Sequence, residues 1–169
     1  MKNILSAIIL FLSTLSVYPS IWQRQITNYD RNMYQAGFQN WMITQSGNGW
    51  LYIANSNGLL EFDGVYWNLY PMNGKIVRCI KISGDRIYVG GSSEFGYFAP
   101  KENGQLVYTS LSDPHRQWGG EVWNILEAGG KLYFIDEYYI QIFEGDKLQK
   151  RIESQTKIDC SAVINGRVY

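Results

Sequence analysis

The sequence predicts an all-β chain assembled from a repeated four-stranded unit. Three observations predict it. A short motif recurs, each copy follows a tight turn, and aromatic residues and glycine are common while proline is scarce. The motif is an apolar–Tyr–apolar triplet: Leu51-Tyr52-Ile53, Ile87-Tyr88-Val89 and Leu132-Tyr133-Phe134, with Val168-Tyr169 opening a fourth copy. The turn pairs Asn48-Gly49, Gly84-Asp85, Gly129-Gly130 and Asn165-Gly166 precede them. The tyrosines lie 36, 45 and 36 residues apart, within the range of roughly 20–50 residues that marks repeat architectures. Of 169 residues, 13 are Tyr, 6 Trp and 17 Gly, against 4 Pro, a balance that favours strands joined by tight turns over helices.

Each repeat divides into four short apolar runs. In the first, Trp41–Thr44, Trp50–Ala54, Leu59–Phe62 and Trp67–Tyr70 read as strands. The second offers Val77–Ile82, Arg86–Val89, Phe95–Phe98 and Leu106–Leu111, and the third Val122–Leu126, Lys131–Ile135, Ile140–Phe143 and Leu148–Ile152. The fourth supplies Ile158–Ile164 and then Val168-Tyr169. Asn48-Gly49 and Asn165-Gly166 are expected as two-residue hairpin turns with both residues at positive φ. Asp63-Gly64 and Glu144-Gly145-Asp146 join third strands to fourth. No stretch after residue 20 shows sustained 3.6-residue periodicity, so little or no helix is expected.

Four antiparallel strands recurring about every 40 residues describe a β-propeller blade. Both faces of a blade are buried against neighbours, which accounts for strands with little polar alternation. The predicted fold is therefore an incomplete β-propeller: about three four-stranded blades plus the first two strands of a fourth. A β-sandwich of about a dozen strands is the alternative. The expected organisation is a signal peptide or signal anchor at 1–20, a lead-in segment at 21–38, blade 1 at 39–72, blade 2 at 76–111, blade 3 at 121–154 and a partial blade 4 at 157–169.

The N-terminus reads as an export signal: Lys2, then an apolar stretch Ile4–Val17, then Tyr18-Pro19-Ser20. The stretch is short for a membrane span, which takes about 20 residues. The remainder is expected on the periplasmic side of an inner membrane. Charge is balanced, 15 basic against 15 acidic residues, without the clustered basic face that nucleic-acid binding requires. Cys79 and Cys160 each precede a repeat tyrosine by nine residues, Tyr88 and Tyr169. Equivalent slots a whole repeat apart exceed the ~7 Å Cα separation a disulfide needs, so both are predicted to be free, buried thiols.

The segment Asn28–Tyr70 carries a more specific likeness. Asn28-Tyr29, Gln39-Asn40-Trp41, Leu51-Tyr52-Ile53-Ala54-Asn55 and Asn57–Gly64 resemble the first blade of the two-component-regulator propellers, the periplasmic sensors of Bacteroidetes triple-tyrosine transcriptional regulators. Ile87–Phe98 is similar to their second blade. The resemblance implies an extracytoplasmic ligand-sensing segment of a transmembrane protein that regulates transcription through a hybrid two-component or LuxR-type output. It also implies C-terminal sensor, membrane and output domains, which these 169 residues do not contain. The fourth copy reaches only its second strand, so the sequence reads as truncated. Its open blade faces are expected to make the isolated chain self-associate.

No catalytic constellation stands out, and no cofactor or metal is expected. His115, the only histidine, sits in a polar connection without His or Cys neighbours. No Gly-x-Ser-x-Gly elbow occurs. Asp63 and Glu94 offer a carboxylate pair of the kind that cleaves glycans, but Asp63 belongs to an Asp-Gly turn. The usable surface is one rim, where loops between second and third strands meet loops between blades. The ligand-binding candidates there are Asn55, Asn57, Glu94, Arg116, Trp118, Glu121 and Glu137. Aromatic and polar groups together suit a glycan or other small ligand. Two further functions stay open on sequence alone: a carbohydrate-active propeller enzyme, and a propeller acting as a protein-interaction platform.

Overall fold

A computed structural model describes residues 26–113 and 120–169. The export signal lies outside the described residues, as do His115, Arg116 and Trp118. Fourteen strands and one short helix make up the described chain. Sheet 1 is the meander β1 (Asn40–Gln45), β2 (Leu51–Asn55), β3 (Gly58–Phe62) and β4 (Trp67–Tyr70). Sheet 2 contains β5 (Val77–Ser83), β6 (Arg86–Gly91), β7 (Glu94–Pro100) and β8 (Leu106–Ser110). Sheet 3 contains β9 (Asn124–Ala128), β10 (Lys131–Ile135), β11 (Tyr139–Glu144) and β12 (Lys147–Glu153). A hairpin of β13 (Val163–Ile164) and β14 (Arg167–Val168) follows. The protein is all-β, with three four-stranded antiparallel sheets in sequence order.

Residue alternation assigns each strand two faces, and the register shows both to be apolar. On the rear face of sheet 2, Ile87 pairs with Phe98, Ile80 pairs with Val89, and all pack against Tyr52, Ala54 and Leu59 on the forward face of sheet 1. On the rear face of sheet 3, Leu132 pairs with Phe143, Ile125 pairs with Phe134, and all pack against Cys79, Tyr88, Phe95 and Tyr97 on the forward face of sheet 2. The repeat tyrosines Tyr52 and Tyr88 thus do the same job at successive interfaces. Ring contacts tie the second interface: Phe95 lies 4.7 Å from Phe134 and 5.8 Å from Phe143, centroid to centroid, spacings that favour edge and offset geometry. Gly90 is needed there, because a Cβ would sit 2.6 Å from a Val122 methyl.

The one helix among the described residues, α1 (Arg31–Tyr34), is a single turn in the lead-in segment. The Asp30 carboxylate accepts from the N–H groups of Asn32 (2.8 Å) and Met33 (3.2 Å), and Gln35 ends it at φ +47°. Tyr29 from this segment packs edge-on against Phe62 (5.1 Å) and Trp67 (5.4 Å), and Ala36 packs on Ile53 and Leu60. No described helix is long and apolar enough to cross a membrane.

Three local expectations change. Asn165 and Gly166 both adopt positive φ, as a two-residue hairpin requires, but at Asn48-Gly49 only Gly49 does. There β1 and β2 are joined by a longer loop, closed by Ser46 N–H bonding the Trp50 carbonyl. The run Ile158–Ile164 is a strand only at Val163–Ile164. Its preceding residues bond to sheet 3 instead: Ile158 N–H to the Glu137 carbonyl in the β10–β11 turn (2.8 Å), and Ser161 Oγ accepts from Asn124 Nδ2 at the start of β9 (2.9 Å). Cys160 is consequently exposed rather than buried, while Cys79 is buried.

Candidate functional site

One rim residue expected from sequence, Glu121, meets a cluster at the bends where the sheets are tied together, and the cluster itself, Trp41, Arg78 and Trp123, is one that sequence reasoning missed. The β1–β2 ladder shifts register between Asn40 and Met42, leaving Trp41 as the extra residue of a bulge. The β5–β6 ladder shifts between Val77 and Cys79, leaving Arg78 in the same role. A bulge re-aims the side chain of its extra residue. Trp123, one residue before β9, completes the row.

The Arg78 guanidinium carbon lies 3.7 Å from the Trp41 ring centroid and 5.0 Å from that of Trp123. The two indoles are themselves edge-on at 6.4 Å. Arg78 Nη2 donates to Glu121 Oε1 at 3.0 Å, and Nε approaches Oε2 to 2.8 Å outside hydrogen-bond alignment. Nη1 is buried with no hydrogen-bond partner. Arginine suits this position because its flat cation stacks on rings while its edge meets a carboxylate. Trp41 Nε1 donates to Ser56 Oγ at 3.3 Å, linking the cluster to the β2–β3 loop. Trp41 and Trp123 remain 38% and 46% exposed, so both rings present apolar surface to solvent.

The other candidates divide by what already occupies them. Asn55 is fully buried. Its Oδ1 accepts from Gly37 N–H (2.9 Å) and Asn57 N–H (2.9 Å), and its Nδ2 donates to the Gly37 carbonyl (2.9 Å) and Asn40 Oδ1 (2.7 Å). Its amide is wholly used in clamping the lead-in segment to sheet 1. Asn57 is exposed, and the turn it starts needs Gly58 at φ +141°, where a Cβ would strike the Tyr70 carbonyl. Glu94 accepts hydroxyl protons from Tyr108 (2.7 Å), Ser110 (2.5 Å) and Ser112 (2.8 Å). Burial, then Glu94, pushes the Tyr108 hydroxyl well above its usual range. Glu137 pairs with Lys157 at 3.0 Å. Glu121 also bridges backbone to backbone with Ser92, beside the loop that carries Glu94.

The paired-carboxylate geometry is not formed. Asp63 lies in the β3–β4 turn and Glu94 opens β7 beside the β6–β7 turn, at opposite ends of their meanders. Asp63 Oδ1 accepts from Val65 and Tyr66 N–H, and these bonds hold its carboxyl below the usual range. Among the described residues no three His, Cys, Asp or Glu side chains gather as a metal site. A signal for the missed Arg78 was present: Trp41, Arg78 and Trp123 precede the repeat tyrosines by 11, 10 and 10 residues. What this rim offers chemically is flat apolar rings beside hydroxyl, amide and carboxylate groups.

An all-β array of three equivalent meanders with such a rim defines the class of fold. Solved structures of that class resemble it. The chain matches the extracellular domain of BT4673 from B. thetaiotaomicron, described as a hybrid two component system in one structure and as a one component system in another. The TM-scores are 0.52 and 0.51, each at 17% identity over 74% of this chain. This chain spans only 16% of the length of those chains. No protein-family model matches it, and no curated protein does.

Proposed function

We propose that this chain is an extracytoplasmic, ligand-sensing segment of a β-propeller, belonging to a transmembrane signalling protein that regulates transcription. On this reading sheets 1 to 3 are blades and β13–β14 begins a fourth. The observation that carries it is the fold likeness, across 74% of the chain, to an extracellular domain of a two-component system. The rim supports a binding role over a catalytic one. Trp41 and Trp123 offer stacking faces, and Ser56 and the exposed Asn57 in the adjoining β2–β3 loop offer hydrogen bonds, a combination suited to a glycan or another small polar ring.

Two experiments test this reading. In cells, deletion of the gene abolishes a transcriptional response to one glycan among a panel; an unchanged response to every glycan removes the sensor assignment. In vitro, calorimetric titration of that glycan gives binding that Trp41→Ala and Trp123→Ala each weaken by at least about 1 kcal/mol. Arg116→Ala and Trp118→Ala test the remaining rim candidates in the same titration. Unaltered affinity in all four variants moves the site away from this rim.

A further inference from the structure

The contact between sheets 1 and 2 repeats that between sheets 2 and 3, with one difference in charge. Cross-strand pairing makes Glu61 and Tyr97 equivalent, since each faces a repeat tyrosine, Tyr52 and Tyr88 respectively. Trp50 and Arg86 are equivalent too, each standing two residues before that tyrosine. Between sheets 2 and 3 these positions close on one another. The Arg86 guanidinium carbon lies 4.1 Å from the Tyr97 ring centroid and pairs with Asp146 of the β11–β12 turn. Asp146 also accepts from the Tyr97 hydroxyl at 3.2 Å. The result is a cation held between a ring and a carboxylate.

Between sheets 1 and 2 a ring and a carboxylate are again present, but no described side chain supplies the cation. Trp50 stands where Arg86 would, and the acid is Glu61, only 4% exposed. Its partners are neutral: Asn68 Nδ2 and the Tyr70 hydroxyl each donate to Oε1 at 3.2 Å. Among the described residues no Lys or Arg pairs with it. Glu61 is also smaller than Tyr97, and space remains beside it. Two cavities of about 410 Å³ and 750 Å³ share Trp50, Glu61, Gly104 and Leu106 in their walls. No described Lys or Arg lines either one, and Asp85 adds a second carboxylate to the smaller.

We propose that this groove binds a small organic cation, an ammonium or a guanidinium, with its charge against Glu61 and its carbon skeleton on the Trp50 ring. The ligand takes the part that Arg86 plays one interface further on. The ring face attracts a cation through its quadrupole, and the carboxylate orients it by charge-assisted hydrogen bonds. A buried carboxylate with only neutral partners gains most from such a ligand. A metal ion suits the place less, because no three His, Cys, Asp or Glu side chains gather among the described residues. The β1–β2 loop and the β5–β6 turn border the smaller cavity, at the end of the sheets opposite Trp41 and Trp123. The inference is therefore independent of the sensor reading.

An NMR titration of the isotope-labelled chain tests it, following the Trp50 indole N–H, whose signal is the one missing from Trp50→Leu. The probes are n-butylammonium and methylguanidinium, each beside a neutral molecule of similar shape, n-butanol and N-methylurea. At least one cation moves the Trp50 signal to saturation and binds at least about tenfold more tightly than its neutral counterpart. The two titrations decide between ammonium and guanidinium. Glu61→Gln keeps the size of the side chain and weakens the cation at least about tenfold. Trp50 is 37% exposed, so Trp50→Leu leaves the fold intact, and it too weakens binding, read from the line broadening of the ligand. Circular dichroism melting checks both variants. Failure of both cations to bind overturns the proposal. So does equal binding of the neutral counterparts, or unchanged affinity in either variant.

Discussion

Arg78 lies flat on Trp41, with 3.7 Å between guanidinium carbon and ring centroid, and so joins the first strand of sheet 2 to the first strand of sheet 1. Through Trp123 and Glu121 the same side chain reaches the start of sheet 3. One cation therefore ties three sheets at one end of their inner strands.

Replacing Arg78 by Ala is expected to destabilise the protein by about 1–3 kcal/mol, since it removes a stacked cation and leaves Glu121 unpaired in a partly buried place. Lys is a poor substitute, because an ammonium cannot both stack and meet the carboxylate edge-on. Urea unfolding of Arg78→Ala, Glu121→Ala and the double variant gives the coupling, expected at about 1 kcal/mol. Additive effects would show that Arg78 and Glu121 act separately.

Asn55→Ala removes four hydrogen bonds that fasten Gly37, Asn40 and Asn57. At about 0.5–1.5 kcal/mol each, the loss comes to about 2–6 kcal/mol. The lead-in segment is released first. Hydrogen exchange at residues 31–37 should rise well before that of β5–β8, and early proteolysis should fall in the same stretch.

Stability should decline in alkali before the sheets themselves are attacked. Burial, then the neighbouring Glu61, pushes the Tyr70 hydroxyl up to about 12 from 10.0, and Tyr52 and Tyr108 are raised by the same kinds of cause. A raised tyrosine pKa means that the unfolded chain loses its proton first. The stabilising contribution is complete below pH 10 and is lost as pH climbs to about 12. Melting temperatures measured across that window should fall less steeply in Tyr70→Phe than in wild type.

The two thiols should react at different stages. Cys160 is exposed, and in the native protein a maleimide should label it alone. Cys79 is buried, with Sγ 3.3 Å from the Val122 carbonyl oxygen and 3.7 Å from that of Gly90. Burial holds its thiol far above the usual range, which suppresses the reactive thiolate. Mass spectrometry should find one label in buffer and two in denaturant.

The repeat was legible in the sequence because each tyrosine triplet combines strand alternation with a turn at a fixed offset, and both are local signals. The strands that carry Ile87, Phe98, Leu132 and Phe143 followed from them, while the pairing of Ile87 with Phe98 and of Leu132 with Phe143 is a finding of the structure. Arg78 shares its offset from the repeat tyrosine with Trp123, but its role was missed because a bulge is a property of two strands in register, invisible in either alone. Asn55 looked like a rim residue because a loop asparagine reads the same whether its amide faces water or backbone; only the path of Gly37 decides it. Cys160 was placed by analogy with Cys79, but its neighbours Ile158 and Ser161 bond to Glu137 and Asn124 of sheet 3 instead of forming an inner strand.

Glu94 holds Ser112, and Ser93 N–H bonds the Gly120 carbonyl at 2.9 Å. The two ends of the connection from sheet 2 to sheet 3 are thus pinned side by side, independently of the chain between them. Loop closure grows costlier by only about 0.6 kcal/mol per doubling of length. Peptides inserted between Ser112 and Gly120 should therefore leave the packing of sheets 2 and 3 as it is.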